Sequence, residues 1–158
     1  MAGRTRYWLL KTEPHSYSID DLARDGSTTW DGVRNYQARN FMRDEMSVGD
    51  WALIYHSSAD PPGVAGLARV SGAARADLTA LDPKDRHYDP KATKENPIWV
   101  MVEVAFEEKF PRFVPLEELR GRADLHGMTL LKRGSRLSIQ PVDKKHFEIV
   151  RRLGRKAR

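Results

Sequence analysis

Trp30, Arg34, Asn35, Tyr36, Arg39, Asn40 and Arg43 fall within fourteen positions of one stretch, TTWDGVRNYQARNFMR, from Thr28 to Arg43. Trp30 and Tyr36 offer flat faces on which a nucleobase can stack for about 1–3 kcal/mol, and the two asparagines offer paired donors and acceptors for a base edge. Arg39 and Arg43 stand one helical turn apart, where like charges cost an isolated helix about 0.2–0.5 kcal/mol, a penalty that a bound anion would offset. Composition alone favours a plainer reading, with the aromatics in the core and the arginines on a solvated face. Two further groups close apolar runs: Lys11, Thr12 and Glu13 at the end of YWLLKTE, and Tyr55, His56 and Ser57 at the end of LIYHS. Each brings polar groups beside an apolar wall, and each is also what an ordinary strand exit looks like.

These residues need elements to hold them. The run from Arg6 to Glu13, stopped by Pro14, predicts an opening strand, and SIDDLARDG predicts a short helix with Ser18 as N-cap and Gly26 as its end. Ala38, Phe41 and Met42 recur at helical spacing behind a capping Asn35, which predicts a second helix to about Met46. GDWALIYHS and the small-residue run around Val64 to Val70 predict two more strands, and IWVMVEVAFEEKF a long central one. Asp77 to Pro97 is polar and aperiodic with Asp-Pro pairs at 82 and 89, too long for an idle connection, and is expected to be an ordered excursion with a role. PLEELRG and LHGMTLLKRG predict short helices, RLSIQPV a strand, and KKHFEIVRRLG a final helix capped by Asp143. Five or six strands without regular strand–helix alternation predict an α+β fold, a bent mixed β-barrel with short flanking helices.

The chain has 158 residues and 40% apolar content, enough for one core. No run reaches the roughly 18 apolar residues of a membrane span, and the start MAGRTRYWLLKTEP lacks a secretory leader, so a cytoplasmic protein is expected. Without cysteine there is no thiol nucleophile and no thiolate metal site. The five histidines are 20 to 41 residues apart, and no phosphate loop or metalloprotease, hydrolase or EF-hand motif occurs, so neither metal nor cofactor is expected. The net charge of +5 would attract polyanions, although five basic residues crowd into the closing RRLGRKAR, which reads either as a solvated tail or as one touching nucleic acid.

Taken together, YWLLKTEP, TTWDGVRNYQARNFMR, GDWALIYHS, GVAGLARV, HYDPK, PLEELR and RLSIQPV follow the order seen in EVE-domain proteins. From about Tyr7 to Leu153 the chain resembles bacterial members of that family, relatives of the thymocyte nuclear proteins. The resemblance implies a PUA-like fold, similar to YTH and ASCH domains, over residues 6–153, between an extension of residues 1–5 and a basic tail of residues 154–158. It implies a non-enzymatic reader of modified bases in DNA or RNA, cytosine-type favoured. It also implies a pocket formed by Trp8, Lys11, Thr12, Trp30, Val33, Arg34, Asn35, Tyr55, His56 and Ser57. A flipped base would stack on Trp30 or Tyr55 and meet Asn35 along its edge. Phosphates would fall to Lys11, Arg34, Arg39, Arg43, Lys132 and Arg133. Thr12 departs from a common serine, keeping the hydroxyl but changing the fit. No nuclease is fused in this sequence, so a free-standing reader is expected. Two alternatives stay open: an ASCH-like amidohydrolase using Lys11, Thr12 and Glu13 on a modified nucleoside, and a pocket for a small acidic metabolite.

Overall fold

The computed structural model describes residues 5–156. Its six strands are β1 (Tyr7–Thr12), β2 (Ser27–Trp30), β3 (Trp51–His56), β4 (Gly63–Ala76), β5 (Val100–Pro115) and β6 (Ile139–Val142). They form one mixed sheet in the order β2-β5-β4-β3-β1-β6, with β1 and β3 parallel and all other neighbours antiparallel. β2 and β6 lie at opposite ends of that order, so the sheet bends but is not closed by hydrogen bonds as a full barrel would be. Register shifts at Ile54/Tyr55 and at four places between β4 and β5 supply the bending, as bulges do.

β1 and β3 are central and covered on both faces, which explains why both read as nearly unbroken apolar runs. Trp8 and Leu10 face one cluster with Ile19, Leu22, Trp30, Met42 and Ile54, while Leu9 faces the other with Leu53, Tyr55, Phe110 and Phe147. The first cluster is roofed by helix α1 (Ile19–Asp25) and helix α2 (Tyr36–Asn40), the second by α3 (Leu116–Arg120) and α4 (Lys144–Arg155). Each fully buried side chain of this size contributes about 1.5–3 kcal/mol.

Local signals placed these helices well. Ser18 accepts from the Asp21 amide while Asp21 accepts from the Ser18 amide, a complete capping box that fixes the start of α1. Asn35 caps α2 as expected, accepting from the Ala38 amide at 3.0 Å. Beyond Asn40 the helix widens to a π-turn, Phe41–Glu45, ended by the Met46 amide reaching the Phe41 carbonyl. The widening buries Met42 and sets Phe41 against Trp8, ring centres 5.6 Å apart.

Other expectations change. β2 went unforeseen because four residues that end in a turn carry too little alternation. LHGMTLLKRG forms the 3-10 turn Thr129–Leu131 rather than a helix, and Asp143 makes no side-chain cap bond. The supposed tail is helix to Arg155, which pairs with Glu108 at 3.0 Å; residues 1–4 and 157–158 of the expected termini lie outside the described residues. Among the described residues no helix is long and apolar enough to cross a membrane.

Candidate functional site

A cleft of about 600 Å³ opens beside the ends of β1 and β2. One wall is Lys11, Thr12 and Glu13 with Ser16 and Tyr17, a second is the continuous segment Thr28 to Asn35, and Arg86, His87 and Ser138 complete the rim. Six expected site residues therefore meet in one place: Lys11, Thr12, Trp30, Val33, Arg34 and Asn35. Trp30 is nine-tenths buried and shows the cleft a small part of its ring, and Val33 anchors the segment in the core.

The turn after Trp30 is set by a buried carboxylate 45 positions away. Asp77 is fully buried and accepts four hydrogen bonds, from the Gly32 amide (2.8 Å), Arg34 (3.0 Å), and the Thr79 amide and hydroxyl (2.9 and 2.6 Å). Burial alone would raise its pKa, but the bonds from Thr79, Gly32 and Arg34 together outweigh burial and hold the carboxyl below its ordinary range. Gly32 has φ +77°, and a side chain there would strike the His87 ring at 2.7 Å, so this position needs glycine on two counts. Asp31, just before it, opens on solvent and has no hydrogen-bond or ion-pair partner among the described residues. The cleft walls still enclose its carboxyl enough that desolvation, followed by the nearby charge of Asp77, pushes its pKa up.

Arg34 spends all five of its donors inside the protein. Nε and Nη2 reach the His87 carbonyl, Nη1 the Val33 carbonyl and Asp77, and Nη2 also Thr79 Oγ1, while the guanidinium lies 5.4 Å over Trp99. It ties the Asp77–Pro97 excursion to the cleft and keeps no donor for a phosphate. The excursion has its own small core of Ala80, Ala92 and Trp99, and the Trp99 indole donates to Asp89 at 2.8 Å. Asp77, Thr79 and His87 were missed as site residues; the length and polarity of their segment, together with HYDPK, were the only signals.

Asn35 lies at the cleft, its side-chain oxygen already accepting the Ala38 amide of α2 while its NH₂ makes no bond within the described residues. Thr12 donates its hydroxyl to the Tyr17 carbonyl at 2.7 Å. Lys11 borders the cleft, but its ammonium turns away from it to the other face of β1, 5.7 Å over the Tyr55 ring, where burial lowers its pKa.

Four expected pocket residues are elsewhere. Trp8 is core, its indole donating to buried Asp50 at 2.9 Å; only an open groove of about 810 Å³ along Thr5–Trp8 and Pro141–Lys144 borders it. Tyr55 points into the second apolar cluster, because one step along a strand changes the face. His56 accepts the Ile19 amide at 3.1 Å and so caps α1, and Ser57 gives its amide to the Thr12 carbonyl. Of the expected phosphate contacts, Arg39 is held by Asn40 and the Ile98 carbonyl and lies 4.9 Å over Tyr36; Arg43 pairs with Asp44 at 2.8 Å. Lys132 and Arg133 are exposed in the loop that leads to Ser138. Among the described residues no group of acidic and histidine side chains is placed to hold a metal.

The family description "EVE domain" matches residues 6–153. Thymocyte nuclear protein 1 of Danio rerio is 45% identical over 162 residues, 90% of this chain and 69% of that protein. A hypothetical protein from Leishmania major has a solved structure that is 49% identical, with a TM-score of 0.91 over 96% of this chain and 95% of that one. Human THYN1, solved in complex with 5-methylcytosine-containing DNA, is 40% identical, with a TM-score of 0.91 over 98% of this chain and all of that one.

Proposed function

The chain belongs to the EVE-domain family, and from that premise we propose that it reads modified bases in DNA or RNA, cytosine-type favoured, by taking one flipped or unpaired base into the cleft beside Trp30. The observation that carries this reading is the cleft itself: an apolar floor at Trp30 ringed by Thr28, Thr29, Asp31 and Ser138, in a chain whose 40% identical relative was solved with DNA of that kind. Extrusion costs a few kcal/mol of stacking, which ring contact and edge hydrogen bonds offset. The walls are pre-set by Asp77 and Arg34, so little ordering is left for the moment of binding.

The enzymatic alternative loses its constellation. Lys11 and Thr12 diverge to opposite faces of β1, and the Thr12 hydroxyl is engaged by Tyr17, so no base–nucleophile contact supports hydrolysis. An acidic metabolite would need a free cation at the cleft floor, where Arg34 is internally satisfied and Arg86 stands only on the exposed rim. Phosphate contact in this reading falls to exposed Arg43, Lys132, Arg133 and rim residue Arg86, with Arg39 behind them.

The test is titration of matched oligonucleotides that differ only in one 5-methylcytosine. A methyl group is worth about 1–3 kcal/mol, so a preference of roughly 10- to 200-fold is expected. Equal affinity for both strands would sink the reading.

A further inference from the structure

We propose that Asp31 is the residue that accepts a hydrogen bond from the exocyclic amino group of the bound base, and so restricts the cleft to amino-bearing bases over their keto counterparts. The assignment rests on the base-reading role of the cleft and adds what that role leaves open, the edge chemistry that selects the base.

Three observations lead there. Asp31 lines the cleft directly after Trp30, and its carboxylate has no partner among the described residues. Its acidic neighbours are occupied: Asp77 takes four hydrogen bonds, and Asp85 receives the His87 amide at 2.8 Å. An unpaired carboxylate inside a site for a polyanion repels phosphate, so it fits there only if the part of the ligand that reaches it carries hydrogen-bond donors. The outer edge of cytosine or adenine presents such a donor, and a carboxylate is the ordinary acceptor for cytosine N4. The backbone at Asp31 is also fixed. The next amide, Gly32, is held by Asp77, and the His87 ring lies against Gly32, so the backbone that carries the carboxylate is set before a base arrives.

Thymine is the discriminating probe. It shares its outline and 5-methyl group with 5-methylcytosine, but carries a carbonyl oxygen where cytosine has the amino group. Facing Asp31 it sets acceptor against acceptor. Single-stranded oligonucleotides with one central 5-methylcytosine, cytosine or thymine are to be titrated at pH 7.5 and fixed salt against the wild-type protein, Asp31→Asn and Asp31→Ala. Wild type should prefer 5-methylcytosine over thymine by about 10- to 100-fold, the size of a lost charge-assisted bond. Asp31→Ala should bring the two within about twofold, through weaker binding of 5-methylcytosine. Asp31→Asn, which presents both a carbonyl and an NH₂, should gain thymine affinity relative to wild type. Because Asp31 is exposed, both variants should unfold at the wild-type midpoint. A wild-type ratio near one, or a ratio that survives in Asp31→Ala, overturns the assignment. The 5-methylcytosine to cytosine ratio separately reports methyl reading, so either idea can fail while the other stands.

Discussion

His56 serves a helix and not a ligand. Its Nε2 accepts the first amide of α1, which only the neutral ring can do, and burial lowers its pKa with Lys109 adding to the effect and Asp20 opposing it. The unfolded chain, with a histidine pKa near 6.5, therefore binds more protons than the folded one just below that value. The sign follows: this contribution is complete above about pH 6.5 and is lost as pH falls through the lower folded value. Urea midpoints should drop between pH 7.5 and pH 5, and His56→Gln, whose carbonyl accepts without titrating, should lose part of that drop; an unchanged slope in the variant would rule the cap out as its source. The same residue shows what sequence can and cannot reveal. Tyr55, His56 and Ser57 were recognisable as a polar strand exit whose side chains alternate between faces, but that the Tyr55 face is covered by Phe110 and Phe147, and that His56 meets the Ile19 amide, depends on elements far along the chain that no local pattern marks. Arg34 was legible as important, whereas four of its five internal bonds go to Asp77, Thr79 and His87, more than forty positions away.

At the level of elements, periodicity and caps revealed most of the fold. Ser18 and Asn35 mark their helices through bonds made within three residues, and such local chemistry is readable from a short window. β2 was not, because it exists by pairing Trp30 with Val102; the excursion was legible as ordered from its length and polarity, but its small core, Trp99 on Ala80 and Ala92, was not. α4 presents a contest of two effects at Gly154. Alanine there should gain about 1 kcal/mol of helix propensity, yet its Cβ would lie 2.2 Å from the buried Phe110 ring. Overpacking of that kind costs about 1–3 kcal/mol, and a packed ring has little freedom to yield, so packing wins. Gly154→Ala should lower the urea midpoint with an unchanged slope; a rise would mean that α4 can slide along β5.

Over the whole molecule, the proposed function divides the work: a net charge of +5 would supply long-range attraction and the cleft the choice of base. The free cations at the cleft are few, since Arg34, within it, is internally satisfied and Arg86 lies on its rim. About three or four phosphate contacts would give single-strand binding a log–log salt slope of about −2 to −3. Replacing both Lys132 and Arg133 by alanine should reduce that slope by about 1 and weaken every sequence alike. A loss confined to modified strands would instead put this loop at the base.

The linear strand order has one more consequence. β1 sits between β3 and β6, so a strand from the beginning of the sequence is completed by one from near its end, Leu10 against Ile139, and the Lys11 amide reaches the Ser138 carbonyl. Such pairing closes a very long loop, whose closure entropy its contacts must offset. A nascent chain that has emerged only as far as β5 holds β1 with one edge open and a cleft missing its Ser138 side. The cleft is in this sense made by both ends of the sequence: its Ser138 side is complete only where β6 has paired with β1.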